Sequence, residues 1–365
     1  MLALKVRWSG GGFSLAVLLS LVNAACLNYR PKLQPMPENA GAIPLAERWN
    51  AKTGRGASGA VAMVDSIMFV GDADRRVYAI DLATGETRWS KRLPGSVFGG
   101  VVQSGDTLYA ATDRPNSRVV ALRAADGAIL WEHDAGKPSA PITLADGRIL
   151  VPTFDGRLVG LDAKTGVEVW ERRLGSSRAA AYQSGIDTTV FATTDSIFCL
   201  TTGDGKVLHR ASSPGAVLGG WRRFGELLVA GTTDSLLIGL RPRDLAVVWR
   251  VALDAAILEP PAVHGDTAFV VSRSGTLYEI DLGPTPSPRA RVMAALHWPV
   301  TAPPVQFRQW VLVGGADGVI RAIGANGTED WRLVMWQPIR MAPVVLEDGI
   351  VVIGGIGDFS RYQQQ

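Results

Sequence analysis

From residue 45 onward the apolar positions come in short runs separated by polar turns, and they never recur with the 3.6-residue spacing of a helix. The stretch SAPITLADGRILVPTFDGRLVGLDAKTGVEVW (139–170) shows the rhythm in full: an apolar run, a turn at Asp146-Gly147, a second run, a polar turn through Asp155-Gly156, and a closing phrase that ends on Trp170. Short β-rich runs punctuated by Asp-Gly and Thr-Gly predict antiparallel hairpins, four strands to the unit. The closing phrase returns as VYAIDLATGETRW (77–89) and VVALRAADGAILW (119–131). Its end is marked by Trp49, Trp89, Trp131, Trp170, His209, Trp249, a degenerate unit near Arg289 to Arg291, and Trp331, so the period is about 40 residues and the units number eight.

Runs such as RILVPTF (148–154) and ELLVAGT (226–232) are apolar on both faces, so each sheet must be covered on both sides. Radial stacking around an axis does this for every sheet at once. The pattern therefore predicts an all-β fold, an eight-bladed β-propeller of four-stranded antiparallel blades spanning 45–365. A sandwich or an open solenoid is the rival, but an open stack needs polar caps and no unit is conspicuously polar. The chain opens this region on an orphan closing strand, LAERWN (45–50), and ends it on a unit short of its outermost strand, MAPVVLEDGIVVIGGIGDFSRY (341–362). The first strand is expected to complete the last blade and close the ring.

Within the phrase, Asp81 is suited to cap the coming turn and Thr84-Gly85 to make it, because the reversal needs a positive φ. The tryptophans are expected to wedge between blades, with His209 standing in at one of them. Cys199 falls at the small position held elsewhere by Ala79, Ala121, Gly160 and Gly239, as a small core residue.

The N-terminal segment alters the picture of where this domain works. Lys5 and Arg7 precede FSLAVLLSLVNAA (13–25), a run of signal-peptide length and too short to span a bilayer comfortably, so 1–25 reads as a signal peptide. Cys26 follows directly, in the setting of a lipidated cysteine, with ordinary cleavage after Ala24 as the alternative because Asn23 is not aliphatic. Lipidation at Cys26 would hold the domain on a membrane. Pro31, Pro35, Pro37 and Pro44 make 26–44 an extended tether. The formal charge is +3, of which Lys5 and Arg7 contribute two, so no global field points to nucleic acid.

Candidate chemistry is sparse. His133, His209, His264 and His297 show no metal-ligand spacing, and Asp72, Asp74, Asp146 and Asp155 lie in turn contexts where Asp is common. No catalytic, cofactor or metal residue is expected. The D-x-x-T-G-x-x-x-W pattern, Asp81 to Trp89, resembles the repeat of pyrroloquinoline-quinone-type propellers over 45–362. One branch holds quinone (PQQ) dehydrogenases, which carry a vicinal cysteine pair; Cys26 and Cys199 cannot be vicinal. The other holds small lipoproteins of the BamB-like family, which the signal segment, Cys26, tether and eight units resemble. That resemblance implies a non-catalytic periplasmic scaffold at the outer membrane that assists β-barrel protein assembly. The implied partner is the periplasmic domain of the barrel-inserting protein, with Arg178 as the contact in loop 171–185. Where the family offers an acidic pair, this chain has Trp221, Arg222 and Arg223. A docking subunit of another envelope complex is the alternative, with Trp221, Trp310 and Trp336 outside the wedge positions as its aromatic contacts.

Overall fold

A computed structural model describes residues 41–364 apart from 55, 58 and 284–286. The signal segment, Cys26 and most of the tether fall outside the described residues, although Gly41 N–H donates to the Asp330 carbonyl at 2.7 Å. The described strands form eight four-stranded antiparallel sheets, arranged as an eight-bladed β-propeller. Blades 1 to 7 follow chain order over 62–92, 95–133, 143–173, 182–212, 222–252, 262–295 and 305–334. Blade 8 combines Val344–Leu346, Gly349–Ile353 and Asp358–Gln364 with the first strand, Leu45–Lys52. That strand pairs antiparallel with Asp358–Gln364, with Asn50 opposite Ser360.

The middle strands are buried on both faces, at four successive positions in Ile67–Gly71 and in Arg148–Pro152. Pleating sends alternate residues to alternate seams. Leu108 and Ala110 pack with Phe69 and Ala79 of blade 1, while Tyr109 and Ala111 pack with Ile149 and Val151 of blade 3. Eight apolar clusters result among the described residues, each drawn from two neighbouring blades, and one of them joins Trp49, Val351 and Phe359 of blade 8 to Met68 and Ile80 of blade 1. Each fully buried aliphatic or aromatic side chain contributes about 2 kcal/mol, so stability is spread around the ring.

The turn between third and fourth strands is built as its sequence dictates. Asp81 Oδ1 accepts from the Ala83 and Thr84 amides at 2.8 and 3.2 Å, and Gly85 sits at φ 76°. Its glycine also receives the indole of the preceding blade. Trp49, Trp89, Trp131 and Trp170 donate Nε1–H to the carbonyls of Leu82, Ala124, Ala163 and Thr202, each in the next blade, at 2.8 to 3.0 Å. A Cβ on Gly85, Gly127, Gly166 or Gly205 would come within 2.5 to 2.7 Å of those rings.

Other seams depart from this arrangement. His209 is exposed and is no wedge. Across that seam Leu245 replaces the turn glycine at φ 59°, and its buried side chain fills the space. In blade 6 the position opposite the small residue is Arg291, paired with Glu279 where other blades pair Ala79 with Trp89 or Gly160 with Trp170. Trp249 keeps the seam position, packed with Ile280 and Leu282 of blade 6 and against Gly239 of its own blade as Trp170 is against Gly160. Trp331 is fully buried against Trp310, but its indole N–H has no partner among the described residues. Third and fourth strands of blade 8 are not consecutive in the chain, so the turn that supplies the acceptor elsewhere has no counterpart there.

Candidate interaction face

Strand direction divides the loops between two faces of the propeller. Loops between blades share one face with the turns joining second and third strands; turns joining first to second and third to fourth strands share the other. The four candidate contacts drawn from sequence do not come together on either. Arg178 lies on the first face, in the loop between blades 3 and 4, exposed and without a hydrogen-bond or ion-pair partner among the described residues.

Trp221 is 1% exposed and belongs to the cluster between blades 4 and 5, so it is a core residue and not a surface anchor. It precedes the innermost strand, where blades 6, 7 and 8 have Pro261, Pro304 and Pro343. Arg222 donates Nη1–H to the Trp221 carbonyl at 3.0 Å. It touches water, yet the blades around it displace bulk solvent and hold its guanidinium below the usual range. Arg223 is tied to backbone, Nε–H to the Gly225 carbonyl at 3.0 Å and Nη1–H to the Ser184 carbonyl at 3.3 Å. It opens on the second face, in a cleft of about 460 Å³ shared with Arg241, Arg243 and Glu226. Cys199 lies against the same cleft, 2% exposed and opposite His209, with burial pushing its thiol up.

Trp310 is half-buried, with Nε1–H donated to Asp330 at 2.8 Å, and Trp336 is 57% exposed in the loop between blades 7 and 8. A cleft of about 630 Å³ between blades 6 and 7 is lined by Glu259, Arg273, His297 and Trp298, and burial raises the Glu259 carboxyl. Among the described residues no group of three or more His, Cys, Asp or Glu is placed to hold a metal ion. The fold also brings Arg75, Arg76, Arg92 and Arg114 to one cleft on the loop face. Their only signal in the sequence is an arginine where other units have the turn glycine.

Eight sheets linked by Asp-, Thr- and Gly-built turns and indole-filled seams define a propeller of the pyrroloquinoline-quinone repeat type. A family model described as outer membrane protein assembly factor BamB matches residues 46–223 and 193–285, more than half of the chain, and the chain belongs to that family. The crystal structure of BamB from Moraxella catarrhalis superposes with a TM-score of 0.75 at 18% identity, covering 89% of this chain and 98% of that one. The outer membrane protein assembly factor BamB of Yersinia pestis is 22% identical over 246 residues, 59% of this chain and 58% of its own length. The dehydrogenase subunit of the quinone alcohol dehydrogenase of Gluconobacter oxydans (strain 621H) is 30% identical over 160 residues, 41% of this chain and 17% of that subunit. The match thus spans less than two thirds of either relative.

Proposed function

We propose that this chain is a non-catalytic scaffold of the bacterial envelope that assists assembly of outer-membrane β-barrel proteins. It is exported by 1–25, anchored through a lipid on Cys26, and held by the 26–44 tether on the periplasmic side of the outer membrane. Its loop face grips another envelope protein, the periplasmic domain of the barrel-inserting protein, with Arg178 among the contacts. One observation carries this reading: the assembly-factor family match over 46–223 and 193–285, which takes in the closing strand, blades 1 to 5 and the first three strands of blade 6 of an eight-bladed ring. An exposed loop arginine without a partner among the described residues is also the kind of residue interfaces use.

Affinity capture of the full chain from detergent-solubilised envelopes tests it. The barrel-inserting protein should be recovered, and Arg178→Ala should lower the yield several-fold while leaving the fold intact. Recovery of an unrelated envelope complex in its place would support the docking-subunit alternative and overturn this reading. The match to quinone dehydrogenase subunits keeps a catalytic alternative in view. Adding pyrroloquinoline quinone and Ca²⁺ should give no alcohol-dependent dye reduction; turnover would overturn the scaffold role.

A further inference from the structure

A cluster of arginines lies on the loop face away from the loop between blades 3 and 4 that carries Arg178. Arg75, Arg76, Arg92 and Arg114 line a cleft of about 580 Å³ on the loop face where blades 8, 1 and 2 meet, together with Tyr78. None of the four makes an ion pair among the described residues, whereas Arg88, Arg118, Arg157, Arg241, Arg291 and Arg361 each hold an acid. Among the described residues the Arg76 guanidinium reaches the Ser90 hydroxyl at 3.1 Å, Asp74 is the acid on the wall, and Asp72 lies buried behind it, accepting from the Arg76 amide at 2.8 Å. Four guanidiniums so placed repel one another until an anion arrives, and their forked donors match carboxylate geometry.

Arg75 is also held against its backbone preference. It sits at φ 69°, at the turn position where blades 3, 6, 7 and 8 have Gly156, Gly275, Gly318 and Gly357 at φ 81°, 88°, 78° and 106°. L side chains adopt that region at a cost that glycine avoids. Blade 5 has Ser235 at φ 62° at the same position.

Beside the cleft, and sharing Ala73 with it, is an apolar recess of about 500 Å³ lined by Ala57, Met341 and Ile356. Ile356 is 61% exposed, and its amide donates to Gln337 Oε1 at 3.0 Å, which ties it to the loop that carries exposed Trp336. Arginines next to exposed Trp and Ile have the composition of interface hot spots. We propose that the loop face of blades 8, 1 and 2 docks an acidic polypeptide segment, its carboxylates in the arginine cleft and an apolar side chain against Ile356. The site lies outside the loops considered under the assembly reading and stands or falls separately from it. A recess walled by turns suits an extended chain better than the flat headgroup plane of a bilayer.

The probe is a labelled peptide, Phe-Gly-Glu-Asp-Glu-Glu, with a lysine counterpart, titrated against the full chain by fluorescence anisotropy at low salt. The acidic peptide should bind and the lysine peptide should not. Arg75→Gly with Arg92→Ala should weaken binding about ten-fold or more, as loss of two charge-assisted contacts implies. Arg173→Ala with Arg250→Ala, the same charge removed from exposed outer strands, should leave it unchanged. Arg75→Gly alone should melt higher than the parent yet bind more weakly, which separates a binding role from a structural one. Ile356→Ser should weaken the phenylalanine-headed probe and spare a plain tetraglutamate. The proposal is overturned if the acidic peptide does not bind, if both arginine pairs lose binding equally, if inorganic phosphate at matched ionic strength displaces the peptide completely, or if phosphatidylglycerol vesicles bind through these arginines and the peptide does not.

Discussion

Trp49, Trp89, Trp131 and Trp170, which end four of the repeated phrases, each serve the following blade as well as their own. Trp131 follows Gly127 by four residues in the sequence, but its ring covers Gly166 of blade 3 and its N–H reaches the Ala163 carbonyl there. The offset within a unit is visible in the chain; the contact between units exists only once the ring stacks, so it could not be read there. Gly166→Ala should cost about 3 kcal/mol, from the positive φ and the displaced indole together, whereas Gly105→Ala, at φ 52° with open space around it, should cost about 1 kcal/mol. Urea midpoints compare the two directly, and equal losses would refute the seam account. His209 and Leu245 are the exchanged form of the same pair. A cycle of His209→Trp and Leu245→Gly should show favourable coupling of about 1 kcal/mol or more, because the new indole needs the space the leucine vacates. Trp221 was misread for a related reason: lying outside the wedge register, it looks like a surface aromatic until blades 4 and 5 close over it.

At the scale of strands and blades, the chain states most of its architecture. The two-faced burial of the middle strands, the turn chemistry of Asp81 and Asp162, and the phase difference between 45–50 and 341–362 all appear in the fold. What the repeat obscured are the blades that break it, where Glu279 and Arg291 replace a small residue and a tryptophan. Closure by Leu45–Lys52 has a direct chemical consequence. Asn50 Nδ2 donates to the Ser360 hydroxyl at 2.7 Å although 310 positions separate them. Asn50→Cys with Ser360→Cys should therefore form an intramolecular disulfide under mild oxidation and raise stability by about 4 kcal/mol, since it closes a very long loop of the unfolded chain. Mass spectrometry and denaturation midpoints read this. Free thiols, or dimers alone, would show that the first strand does not sit on the last blade.

For the whole molecule, the fold follows from repetition but the working surface does not, because a docking face is assembled from loops that no period links. Arg75, Arg76, Arg92 and Arg114 come from two blades and three separate segments: Arg76 and Arg92 pair across strands of blade 1, and the packing of blade 2 against blade 1 adds Arg114. Arg178 alone among the sequence-derived contacts stands exposed on the loop face without a partner among the described residues. A rigid ring whose seams are all internally filled leaves its loops as the parts free to vary, which is how a scaffold acquires partners without changing its core. The assembly role is tested most directly in cells of the source organism from which this chain has been removed. Newly made outer-membrane barrel proteins, followed by their heat-modifiable gel mobility, should fold several-fold more slowly and recover with the parent chain but not with Cys26→Ser combined with Arg178→Ala. Folding at the normal rate without the chain would contradict the account.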